Sequence, residues 1–181
     1  MIATARSTIG ALLVASLCAL PAAAEDDPCG QFGWDVRQER ALFAQPAAAL
    51  VSGSNAADAP PIRPERPYRL SLHPQPQVQF AAPPGRQKFA AGAHGGMVKL
   101  TVAQAGVYRV SLDQPAWVDV LNGSSPLTSQ DFQARSGCHA PHKIVEFSLP
   151  AHATLLLQLS AAAQDSLTVT LTRAATAGGH H

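Results

Sequence analysis

Charged residues are scarce in this chain: Asp, Glu, Lys and Arg make up 14% of 181 residues, where soluble proteins average about 25%. With 46% hydrophobic residues, that scarcity excludes a disordered polyelectrolyte. Too few Glu, Lys and Arg are present for a long coiled coil. The formal net charge of +1 lacks the basic excess that phosphate binding requires, which argues against a nucleic-acid partner. Long apolar runs are missing too. The longest, Ile9 to Leu20, falls short of the roughly 18–20 residues needed to cross ~30 Å of hydrocarbon as a helix. No Gly-x-Ser-x-Gly, phosphate loop or dinucleotide motif is present, and Gly92-Ala93-His94-Gly95-Gly96 has no following helix.

What is present begins with a targeting segment. Arg6 precedes the apolar run, Pro21 ends it, and Ala22-Ala23-Ala24 puts small residues before Glu25. Residues 1–24 therefore read as a cleavable secretory signal, and the expected location is periplasmic or secreted. Cleavage removes Arg6 from the 13 Lys and Arg, leaving 12 against the 12 Asp and Glu, so the mature chain is neutral. It also removes Cys18. Cys29 and Cys138 remain, and in an oxidising compartment they have one intramolecular pairing.

Residues 25–66 divide into a helical stretch, Asp35 to Gln45, and a connection rich in Ala, Ser, Gly and Pro. Asp35 is placed to cap, Val36, Glu39, Arg40 and Phe43 follow at helical spacing, and Pro46 stops the run. From residue 67 the period becomes two. Tyr68, Leu70 and Leu72 alternate with polar residues, as do Val98, Leu100 and Val102, then Tyr108, Val110 and Leu112. Val145, Phe147 and Leu149 repeat the pattern, Leu155, Leu157 and Leu159 do so less cleanly around Leu156, and Leu167, Val169 and Leu171 close it. With residues 116–121 these predict an all-β fold, an antiparallel, jelly-roll-like β-sandwich of seven or eight strands over residues 67–173. Residues 174–181 are expected to be a flexible tail.

Two constellations could carry function. If Val118 and Val120 face the core, Trp117 and Asp119 face outward beside Arg109 and Ser111, where an exposed indole between a carboxylate and a guanidinium suits a glycan or a protein partner. The commoner arrangement of a lone tryptophan is the opposite one, in which Trp117 points inward while Asp119 holds the turn at Asn122-Gly123. Phe32 and Trp34, just after Cys29, are placed to pin the N-terminal segment onto the sandwich. The second constellation is Cys138-His139-Ala140-Pro141-His142. His139 and His142, with His94 or Glu146, offer the nitrogen and oxygen donors that iron, copper or zinc takes. The competing reading is that these are loop histidines around a disulfide, with no cofactor. Asp113, Asp119, Asp131 and Glu146 show no spacing that sets two apart as an acid/base pair, and His180-His181 ends the chain.

Two resemblances add to this reading. Gly106-Val107-Tyr108 running into Trp117-Val118-Asp119-Val120 is similar to the central hairpin of bacterial prepeptidase C-terminal domains and some carbohydrate-binding modules, which implies a jelly roll. More of the chain is covered by a second resemblance. Cys29 before Phe32-Gly33-Trp34-Asp35, the stretch from Arg37 to Leu42, Trp117-Val118-Asp119, Asp131-Phe132, and Gly137-Cys138 with Lys143 resemble a group of small secreted proteobacterial proteins often labelled homogentisate 1,2-dioxygenase. That implies a secreted single β-sandwich of unknown role and, through the label, a metal-dependent oxidoreductase; no iron ligand is carried over residue by residue. The expectation is an exported, non-catalytic binding or accessory module for a protein or glycan of the cell envelope, with the small metal-dependent oxidoreductase as the alternative.

Overall fold

A computed structural model describes residues 27–175; residues 1–24, expected as a signal, and residues 176–181 of the expected tail, His180-His181 included, lie outside them. Among the described residues no helix is long and apolar enough to cross a membrane. The chain folds as a β-sandwich of two six-stranded sheets. The strands are β1 (Ala48–Val51), β2 (Pro61–Ile62), β3 (Tyr68–Ser71), β4 (His73–Pro74), β5 (His94–Leu100), β6 (Gly106–Leu112), β7 (Trp117–Asn122), β8 (Ser125–Pro126), β9 (Ser129–Ala134), β10 (Lys143–Leu149), β11 (Leu155–Ala162) and β12 (Ser166–Arg173). The first sheet runs β1-β3-β12-β6-β10-β9; the second runs β2-β5-β11-β7-β8, with β4 also on β5.

Twelve strands stand where seven or eight were expected, and the reason is physical. The seven strands with clear alternation bury one face in the common core, so a period of two marks them. The additional strands are two-residue bridges or edges, whose side chains leave no such record. Both sheets are also mixed rather than wholly antiparallel, since β1 pairs parallel to β3 and β2 parallel to β5. Both parallel strands come from residues 47–67, expected as a connection and in fact an edge for each sheet.

The alternating residues form the core. Leu70, Val98, Leu112, Val120, Phe147, Leu157 and Leu171 are buried in one cluster between the sheets. Leu156, which broke the alternation in its strand, packs with Met97, Leu121, Ala59 and Ala82 on the opposite face of the second sheet, so that face is covered as well. Close approach there demands glycine at Gly96, where a Cβ would collide with the Ser52 side chain. Asn122-Gly123 makes the β7–β8 turn, with Gly123 at φ 62°, a conformation favouring glycine.

The outer face of the first sheet is covered by the N-terminal segment. Its helix, α1 (Arg37–Phe43), is shorter than the stretch expected, and Val36 rather than Asp35 occupies the N-cap position. Asp35 sits one residue earlier, its Oδ1 accepting from the Arg37 backbone N–H at 3.1 Å. Cys29 and Cys138 are bonded, S–S 2.02 Å. Phe32 and Val36 bury against Cys138 and Ile144, with Trp34 alongside, so Phe32 and Trp34 do pin the segment to the sheet.

Candidate functional site

β6 and β7 are consecutive in the chain but lie in different sheets: β6 pairs with β10 and β12, β7 with β11 and β8. The link between them crosses the sandwich and is not a hairpin. Their outward rows therefore point in opposite directions, and Arg109 does not share a face with Trp117 and Asp119.

Arg109 lies beneath α1 and is buried. Its Nε donates to Glu146 Oε1 at 2.9 Å, and its Nη1 donates to the Asp35 carbonyl at 2.8 Å. Nη1 also meets Glu39 Oε1 at 3.4 Å, and the guanidinium lies 4.8 Å from the Trp34 ring centroid. Thr172 donates its hydroxyl to Glu39 at 2.7 Å. Glu146, opposite Arg109 on β10, orients the guanidinium, and its remaining contacts, to the Asp35 carbonyl, Glu39 and Trp34, hold the N-terminal segment to the sheet. Nearby on the surface, Arg37 hydrogen-bonds the Asp35 carboxylate and holds its pKa down to about 2.

The histidine constellation does not assemble. His94 stands on β5 in the second sheet, while Glu146 is on β10 in the first and engaged with Arg109. His142 Nδ1 lies 3.2 Å from the Cys138 carbonyl, His139 is exposed in the same loop, and Cys138 has no free thiolate. Among the described residues no three His, Cys, Asp or Glu side chains gather closely enough to hold a metal ion. Sequence proximity put His139 and His142 together, and a loop bent around the disulfide does not aim them at a common point.

Trp117 and Asp119 do form a pair on one face of β7. Trp117 Nε1 donates to Asp119 Oδ1 at 2.9 Å, and the Gly85 N–H donates to Asp119 Oδ2 at 3.1 Å. Trp117 remains 36% exposed, so the outward alternative holds for both residues. The indole stands at one lateral mouth of the sandwich. There the second sheet stops short of the first, and a cleft of about 140 Å³ is lined by Trp117, Val118, Ser129, Phe132, Lys143 and Val145. Phe132 projects from β9 and is 63% exposed. Lys143 Nζ donates to the Ala116 carbonyl at 2.8 Å and lies 5.3 Å from the Trp117 ring centroid. Burial first, and Arg86 second, push the Lys143 ammonium below its ordinary pKa, with Asp119 opposing.

Phe132 is not among the candidate binding residues because β9 has no alternating signature, and Lys143 is not among them because it stands at the start of β10, where its place beside Trp117 depends on the packing of the two sheets. Asp131-Phe132, an aromatic beside a charge in a polar stretch, was the available signal. Trp117→Ala is expected to reduce stability by about 1–2 kcal/mol in a urea titration, well below the ~3–5 kcal/mol typical of a buried aromatic. A loss in the higher range would make Trp117 a core residue. No family model, curated protein or solved structure matches the chain.

Proposed function

We propose that the protein is an exported, non-catalytic accessory module that binds a protein partner of the cell envelope through the mouth between Trp117 and Phe132. The observation that carries this reading is the pair of large exposed aromatics flanking a small cleft whose floor, Val118 and Val145, belongs to the buried core. Aromatic anchors beside a cation at an apolar depression are the composition of protein-recognition surfaces. A protein suits this mouth better than a glycan. Sugar stacking needs an open ring face, whereas Lys143 lies over the Trp117 ring and Gly85 crowds its Nε1 edge. A cleft of about 140 Å³ is also smaller than the ~300–1,000 Å³ of small-molecule sites. Export is supported by the leader-like residues 1–24 and by the Cys29–Cys138 bond.

Photo-cross-linking from position 132 in cells tests the reading, with position 51 as the control. Val51 is equally exposed, at 66%, but sits on β1 at the opposite edge of the first sheet. A single predominant adduct from position 132 and none from position 51 is expected. Equal labelling from both, or none from 132, would refute the reading.

A further inference from the structure

β9 ends the first sheet, so one side of its backbone has no strand partner. Which groups face outward follows from register. The Arg135 N–H donates to the His142 carbonyl at 2.9 Å, and Gln133 and Asp131 stand opposite Ile144 and Glu146. By the alternation of antiparallel pairs, residues 135, 133 and 131 exchange hydrogen bonds with β10. Phe132 and Ala134 then direct their N–H and C=O groups away from the sheet, where the Ala134 carbonyl accepts from its neighbour's guanidinium, Arg135 Nη1, at 2.9 Å. The Phe132 N–H has only a local partner, the Asp131 carboxylate at 2.7 Å, one that an incoming carbonyl can replace.

Edges of native sheets are usually guarded by Lys, Pro, shortness or bulges. Ser129–Ala134 contains one charge and no Pro or Lys. Its bulge falls beyond Asp131, at the Glu146/Phe147 step of β10, leaving Asp131–Ala134 regular. On the inner face of this open stretch Phe132 stands opposite Val145, at the mouth. The mouth also has an excess of positive charge. Lys143, Arg86 and, at the end of β9, Arg135 stand against two carboxylates, Asp119, which already accepts from Trp117 and Gly85, and Asp131, which accepts from the Phe132 N–H.

Resting on the protein-binding reading above, we propose that β9 is a strand-addition edge for an extended peptide of apolar and acidic character. The peptide pairs its backbone with Phe132 and Ala134, seats one apolar side chain between Trp117 and Phe132, and sets a carboxylate against Lys143. Main-chain pairing supplies affinity in this mode, and pockets for alternate side chains supply specificity. The cleft has room for one side chain, which matches a strand presenting every second residue to this face.

The probe is a synthetic heptapeptide alternating Thr and Val, with a central Leu and an Asp two positions on. It is titrated into the oxidised protein and followed by backbone amide shifts and amide hydrogen exchange. Saturable shifts and slowed exchange at Phe132 and Ala134 are expected. Ala134→Pro removes an outward N–H, leaves Trp117 and Phe132 in place, and suits an edge position. It should weaken binding about tenfold, the equivalent of one or two lost hydrogen bonds. Methylating the peptide nitrogens that face β9 should do the same to the unaltered protein, whatever the proline does to folding. Exchanging the peptide Asp for Lys should weaken binding several-fold.

Equal affinity for the methylated peptide would overturn strand addition, and so would no binding at millimolar peptide; cross-linking from position 132 decides the broader reading separately. A dimer of the protein that Ala134→Pro dissolves would also overturn the proposal, because the edge would then belong to a second copy.

Discussion

Arg109→Met is expected to lower the unfolding free energy by about 3–5 kcal/mol, the range for removing one partner of a buried ion pair. The size follows from what is left behind. Glu39 is 1% exposed, and its Oε2 has no hydrogen-bond partner even with Arg109 present. Without the guanidinium its carboxylate keeps only the Thr172 hydroxyl and is a buried charge without its counter-ion. Glu146, less buried on its side of Arg109, retains access to water and adds little. Urea denaturation measures the loss, and a value under about 1 kcal/mol would show that Glu39 escapes to solvent. Replacing both Glu39 and Arg109 with Met should recover much of the stability, since an apolar pair leaves no stranded charge.

Abolishing the Cys29–Cys138 bond by Cys29→Ala with Cys138→Ala is expected to destabilise the protein by about 2–5 kcal/mol. The bond spans 109 residues of sequence, and closing so long a loop removes much of the entropy of the unfolded chain. The effect should also be local. Phe32, Val36 and Ile144 form a small cluster around Cys138, so amides of the first described residues should exchange earlier than those of β6, β11 and β12. Matching thermal unfolding of oxidised and reduced protein would refute the prediction. The disulfide and Arg109 fasten the same segment to the same sheet, so removing both should give an effect that departs from the sum.

Most of the sandwich was legible because burial leaves a period in the sequence. Tyr68 and Leu70, Val110 and Leu112, or Val145 and Phe147 alternate because one face of each strand meets the core. β9 left no such trace: Ser129–Ala134 has almost no buried side chain, and its strand geometry comes from backbone pairing with β10. β1 and β2 were read as a connection for a related reason. Each is short and lies parallel at an edge, held by a neighbour 20 or more residues away in sequence.

The candidate site divided along the same line. That Trp117 and Asp119 share a face follows from two-residue spacing on one strand, which any extended backbone enforces. That Arg109 belongs elsewhere depends on which sheet each strand joins. The residues between Leu112 and Trp117 can equally make a hairpin or cross between layers, and alternation is blind to that choice. Sequence by itself determined the strand faces, a matter of local periodicity, and the expected pairing of Cys29 with Cys138, which are bonded. Only the tertiary structure decided that Arg109 is buried against Glu39, that the histidines stay apart, and that Phe132 and Lys143 join Trp117 at an open mouth. Those outcomes depend on the order of strands across two sheets, which is set by long-range packing.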